Sequence, residues 1–286
     1  MPDQPVPYSG DKGAVGNGSA PLSAIGQWNV SVKAENQTVV DSSTAGGTLR
    51  LAGNEDWSGS YRANGAVPSF YPGAAFSFVG SIDGVNGVTG TAIVDSVKID
   101  ADIAGGKPWT HEVAFSANGP LSFGAAAAAD ASVAVPPSSI GTQVQLSSPA
   151  ATPEWTPLNQ VTTISLEFRR ENSPYVDSGT GGNVMRKCGP LDWTIAIGVH
   201  PDAEATASVL PMPASVQGIE ITLPNSGGSF TLSWAQFSDL SDLVVNRATQ
   251  EIVSCVLHAA MCGVASVGGT LTRGSIVDPA NNTVWP

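Results

Sequence analysis

Two stretches of this chain are versions of one another: residues 40–57 (VDSSTAGGTLRLAGNEDW) and residues 176–193 (VDSGTGGNVMRKCGPLDW), 136 residues apart. Superposed without gaps, positions 28–57 match positions 164–193 at 11 of 30 places, where unrelated chains of ordinary composition match at about 2. The identities are Glu35, Asn36, Val40, Asp41, Ser42, Thr44, Gly46, Arg50, Gly53, Asp56 and Trp57. Their counterparts are Glu171, Asn172, Val176, Asp177, Ser178, Thr180, Gly182, Arg186, Gly189, Asp192 and Trp193. A chain built this way folds one structural unit twice.

The pattern inside the unit is that of strands. Trp28, Val30 and Val32 alternate with polar residues in WNVSVKAE, as Ile164, Leu166 and Phe168 do in ISLEFRRE, which predicts half-buried strands. The Asp-Ser-x-Thr-x-Gly run that follows suits a polar loop, since Asp and Ser bond their own backbone and Gly accepts positive φ. A strand, a tight turn at Gly53 or Gly189, and a second strand opening on Asp-Trp complete the block. Trp57 and Trp193 read as core anchors. Further on, residues 91–119 align with 234–263 with one inserted residue, which sets His111 opposite Cys255. The first copy of this segment is a hairpin turning at AGGK; the second also fits helical spacing at Trp234, Phe237 and Leu240, but its place in the repeat makes it strand. One short helix is expected at PDAEATASVL, with Pro201 at its first position and Asp202 and Glu204 in its first turn.

These readings give an all-β chain of two tandem antiparallel β-sandwich or barrel domains with at most one short helix each. The expected boundaries are a flexible arm at 1–22, a first domain at 23–124 and an Ala/Pro/Ser-rich linker at 125–160 with one short strand near Val144 and Leu146. A second domain follows at 161–274 and a C-terminal tail at 275–286. Fully extended at ~3.3 Å per residue, such a linker reaches on the order of 100 Å and could hold the domains apart.

Composition narrows the functions. Twenty-four acidic against 12 basic residues give a formal charge of −12, which disfavours capture of a nucleic-acid backbone. No apolar run approaches the ~20 residues that cross a bilayer, and the N-terminal MPDQPVPYSGDKG lacks the features of a signal peptide. Cys188, Cys255 and Cys262 are odd in number and without CxxC spacing, so they read as small core residues. His111, His200 and His258 sit in no catalytic or metal-binding spacing, and Asp100 and Asp102 lack the other ligands of a calcium loop. No enzymatic role, cofactor or metal is expected. The sequons at Asn29, Asn36 and Asn281 carry no weight without a secretory signal.

The order of Asp-Ser, a Gly-Gly pair, a strand and then Gly-x-x-Asp-Trp-Ser-Gly-Ser in VDSSTAGGTLRLAGNEDWSGSY resembles the tail-tube proteins of long-tailed bacteriophages. Residues 87–124 (GVTGTAIVDSVKIDADIAGGKPWTHEVAFSANGPLSFG) are similar to that family's closing hairpin and final strand. The second copy follows as far as Trp193 and then departs, since DWTIAI lacks the Gly-Ser. The resemblance implies units whose inner sheets join around a ring, and rings that stack into a tube for genome ejection. The motif residues Asp41, Gly46, Gly53, Asp56 and Trp57, with Asp177, Gly182, Gly189, Asp192 and Trp193, are then structural.

The partners implied are further copies of the chain, three per pseudo-sixfold ring favoured over six, and other phage tail proteins. DNA passes through the lumen without specific binding, and no membrane is involved. The location implied is the virion tail, after synthesis in the host cytoplasm. The same fold serves distal tail and baseplate hub proteins. A capsid decoration or carbohydrate-binding β-sandwich is the rival from another class, and clustered exposed aromatics would favour it.

Overall fold

A computed structural model of the chain describes residues 13–40, 43, 47–51, 53–125, 138–147, 154–201, 211, 213–225, 228–244, 253–265, 271–273, 276–277 and 284–285. Among these there is no α-helix, and every strand ladder is antiparallel. Pro201 lies outside regular structure, and the rest of the expected helix, residues 202–210, falls outside the described residues.

The repeat extends well beyond the matched block. The first copy runs β1 (Ala14–Asn17), β2 (Ala20–Pro21), β3 (Ile25–Ala34), β4 (Gln37–Val39), β5 (Leu49–Leu51), β6 (Glu55–Asn64), β7 (Ala75–Ser81), β8 (Asn86–Asp102) and β9 (Thr110–Ala125). The second runs β10 (Gln143–Ser147), β11 (Trp155–Leu158), β12 (Val161–Arg170), β13 (Ser173–Tyr175), β14 (Met185–Lys187), β15 (Leu191–Val199), β16 (Val216–Thr222), β17 (Ser229–Val244) and β18 (Ser254–Met261). Pairing is the same in both: β3-β6-β9-β8-β7-β1-β2 in one, β12-β15-β18-β17-β16-β10-β11 in the other, with β4-β5 and β13-β14 as separate hairpins. Register agrees too. Val32 lies opposite Trp57 as Phe168 lies opposite Trp193, and His111 takes the place against Ala63 that Cys255 takes against Val199.

Three boundaries shift as a result. The segment assigned to a flexible arm supplies β1 and β2, and the linker supplies β10 and β11. In the expected C-terminal tail, β21 (Ile276–Val277) pairs with β17 and with β22 (Val284–Trp285), after the small hairpin of β19 (Gly263–Ala265) and β20 (Leu271–Arg273). β10 is the short strand expected near Val144 and Leu146; the others, of two to four residues, carry too little periodicity to be read, and the ladder, not the side-chain pattern, holds them. Residues 234–240 are strand, and Trp234, at φ 59, marks a register shift of β17 against β16. Helical spacing there reflects that bulge, which moves side chains off strict alternation.

Each sheet curls over a core. Strands lie ~4.8 Å apart, so β6 and β7, three places apart in the sheet, would be ~14 Å apart if it were flat. Instead the rings of Trp57 on β6 and Phe78 on β7 lie 6.0 Å apart, and Phe76 meets Phe115 of β9 at 5.4 Å. The second core gathers Phe168, Trp193, Phe230, Phe237 and Leu257, all buried. The two cores form one contiguous apolar cluster.

The copies therefore do not sit apart on an extended tether. Beyond its first half, which pairs with β7, strand β8 takes β12 on the same edge. The connector is pinned before β10, where buried Ser139 donates its hydroxyl to the carbonyls of Asp102 and Lys107.

Replacing Trp57 or Trp193 with Ala is expected to cost about 3–5 kcal/mol in urea unfolding, the loss for a large core aromatic. The two differ in polarity: Trp57 Nε1 donates to the Gly119 carbonyl at 2.9 Å, whereas Trp193 Nε1 is buried without a partner. Trp57→Phe should therefore be costlier than Trp193→Phe by about 1 kcal/mol.

Candidate assembly surface

The junction between the copies is made by three segments of the second. Strand β12 lies along the C-terminal half of β8 in unbroken register, from Thr163 opposite Asp102 to Arg169 opposite Ser96. Its apolar side chains Ile164, Leu166 and Phe168 are buried, as are Val97 and Ile99 of β8. On the other face Glu167 lies opposite Lys98, and Ser165 Oγ donates to Asp100 Oδ1 at 2.7 Å.

Just past β12, Asn172 Nδ2 donates to the Val94 carbonyl and to Asp95 Oδ1, at 3.1 and 2.7 Å. Asp95 is the extra residue of a β-bulge in β8, and it also accepts from Ser116 Oγ. The bulge marks where β7 hands over the edge to β12.

The third segment is the β13-β14 hairpin. Arg186 donates Nη1 to Asp56 Oδ1 at 3.0 Å and Nη2 to Asp56 Oδ2 at 2.8 Å, while Nη1 also reaches the Ala117 carbonyl. Its backbone N–H donates to Asn118 Oδ1. The arginine side chain is only 10% exposed and Asp56 41%, and the two-pronged geometry makes this pair stronger than a single-contact surface ion pair.

Among the described residues, counterparts of several of these groups are left open. Among the described residues strand β3, the counterpart of β12, pairs with β6 alone, and the C-terminal half of β17, the counterpart of β8, pairs with β18 alone. Val32 is 40% exposed where Phe168 is 0%, and Leu243 is 55% exposed where Ile99 is 0%. Asn36 and Arg50, the counterparts of Asn172 and Arg186, are exposed. Asp192, the counterpart of Asp56, accepts from the Trp193 amide on Oδ1 and pairs through Oδ2 with Arg169 at 3.1 Å, the arginine side chain being 61% exposed.

The remaining motif residues shape the backbone. A Cβ at Gly53 or Gly189 would collide with the carbonyl oxygen of Glu35 or Glu171, so each copy needs glycine where the hairpin returns against the end of its first strand. Asp177 Oδ1 accepts from the Gly179 amide at 2.8 Å and Gly182 has φ 85, as the polar loop reading requires. Asp41 and Gly46 lie outside the described residues.

Away from the core, the shared sheet presents a polar face. Asp100, Asp102, Glu112, Glu167, Asp192 and Asp239 lie on it with Lys33, Arg62, Lys98 and Arg169, so carboxylates outnumber cations. Its chemistry is modest. Ser241 Oγ lies 3.0 Å from His258 Nε2, but among the described residues no third group orients that imidazole, as activation of a nucleophile requires. Cys255 is buried, Cys262 half-buried and Cys188 exposed; all three are free thiols. Among the described residues no cluster of His, Cys, Asp or Glu could hold a metal ion.

His111 belongs to the core. Its Nδ1–H donates to the Gly65 carbonyl at 2.8 Å, and burial pushes its pKa below the usual value. No known protein family matches this chain, and neither does any curated protein. Among the described residues no helix is long and apolar enough to cross a membrane.

Two outcomes follow from this geometry. Arg186→Ala should lower the unfolding free energy by about 1–3 kcal/mol, since it removes both prongs on Asp56 and leaves the Ala117 carbonyl without that donor. Arg50→Ala, measured in the same way on dissociated chains, should stay within ~0.5 kcal/mol. His111, held neutral in the fold, contributes fully above its unfolded pKa of about 6.5 and loses that contribution as pH falls toward the depressed folded value. Urea midpoints of the wild type should thus fall between pH 7.5 and 5 more steeply than those of His111→Gln.

Proposed function

We propose that this chain is a bacteriophage virion structural protein that assembles into rings, and that stacked rings form the tail tube through which the genome is ejected. One observation carries the reading. The second copy completes the sheet of the first along β8, and among the described residues one edge of each kind that made that junction is left open. Two different edges join head to tail, and head-to-tail joining closes into a ring when the rotation permits. Closure covers both of these edges, which is one way an all-β chain avoids indiscriminate strand pairing.

The polar face of the shared sheet is the proposed channel wall. Its excess of carboxylates suits a conduit that DNA must slide through without sticking. A sugar-binding module has less support, because Trp57, Trp109 and Trp193 are buried and cannot stack on a ligand.

With two units per chain, a pseudo-sixfold ring takes three chains. Mass measurement on isolated rings, or the symmetry of a negative-stain reconstruction, tests this; six chains per ring would refute it and leave the tube reading intact. In a reconstruction the inner wall should carry more acids than bases. A basic wall would count against the channel.

A further inference from the structure

We infer that the two open edges are a matched self-association site: β3 of one chain pairs with the end of β17 of a second copy, and Arg50 is clamped by Asp192 of that copy. This rests on the ring reading above for closure, but its residues come from the repeat itself. Each partner in the internal junction is replaced by its counterpart. Phe168 opposite Val97 becomes Val32 opposite Leu240, and Arg169 opposite Ser96 becomes Lys33 opposite Asp239.

The substituted pairs are complementary. Lys33 and Asp239 form a cross-strand pair of opposite charge, which stabilises a ladder. Glu167 opposite Lys98 becomes Ser31 opposite Ser241, two small polar residues. Beyond Ser241 strand β17 carries an extra residue, Asp242 at φ 55, which displaces the register by one and sets Leu243 opposite Val30. The exposed apolar positions at Val32 and Leu243 then lie in the ladder that covers them. Conservation of the bulge supports the handover point: Asp95 in β8 and Ser238 in β17 are the extra residues at the same place in the two copies.

The polar contacts transfer as well. Arg50 and Arg186 are identical, as are Asp56 and Asp192, and as are Asn36 and Asn172. An exposed hairpin and a loop have no packing reason to keep an arginine and an asparagine at matching positions. A second junction of the same construction supplies one. Arg50 would meet Asp192 with the two-pronged geometry that Arg186 makes with Asp56, and Asn36 would reach the Phe237 carbonyl as Asn172 reaches that of Val94. Asp192 is positioned by Arg169 and the Trp193 amide, and its carboxylate, 43% exposed, keeps acceptor positions beyond these two bonds.

The test is a charge exchange in the full-length chain, with assembly followed by mass photometry over a concentration series and by negative-stain microscopy. Arg50→Asp and Asp192→Arg should each raise the concentration for half-assembly at least tenfold, and the double variant should return it to within about threefold of the wild type. Arg50 is exposed and Asp192 half-buried, and unchanged circular dichroism of the monomers confirms the fold of each variant. Independently, Val32→Cys with Leu240→Cys in a Cys188→Ser background should oxidise to covalent chain-to-chain products that end at the closed ring. Rings that form unaffected by either single exchange overturn the site while leaving the ring reading in place. Single variants that fail and a double variant that does not recover overturn the Arg50–Asp192 pairing. A wild-type chain that stays monomeric at every concentration overturns both.

Discussion

The structure depends on the ladder between β12 and β8. That ladder turns two curled sheets into one and merges their cores, and it buries Phe168, Leu166, Val97 and Ile99 at a place where each copy alone would expose them. Each such side chain contributes about 1.5–3 kcal/mol when fully buried, so the junction is a part of the fold and not a contact between finished bodies. The polar groups around it, Asn172 at the bulge and Arg186 on Asp56, fix where the ladder starts and how the hairpin docks.

Much of this was legible in the sequence for a physical reason. Alternation at Trp28, Val30 and Val32 and at Ile164, Leu166 and Phe168 reports a strand with one buried face, and β3 and β12 follow it. Trp57 and Trp193 are large enough that a core is their natural place, and both are buried. The 234–263 alignment set His111 opposite Cys255, and the strand register agrees. What stayed hidden was of two kinds. β10 follows the strand expected near Val144 and Leu146, but β1, β2 and β11 are too short for any periodicity, so segments rich in Gly, Pro and polar residues passed for arm and linker. The cross-copy contacts were hidden because an ion pair between residues 130 positions apart leaves no local pattern. A signal did exist: Arg50 and Arg186 agree on a short hairpin outside the core, where divergent copies have little reason to agree.

The two copies are not equal partners in the core. The first is aromatic, with Trp57, Phe76, Phe78 and Phe115 in mutual ring contact, and it satisfies its tryptophan through Gly119. The second is more aliphatic and leaves Trp193 Nε1 buried and unbonded. Its departure from the repeat after Trp193 is thus local: β15 to β18 keep the pairing order of β6 to β9, while the contacts that finish the core change.

Fusing two copies into one chain also changes which equilibria dilution can reach. The β12·β8 junction joins segments tethered by fewer than 60 residues, so each meets the other at a fixed effective concentration, independent of how many chains are in solution. Mass action leaves that junction untouched, and the smallest unit present at any concentration already carries a made junction together with one free edge of each kind.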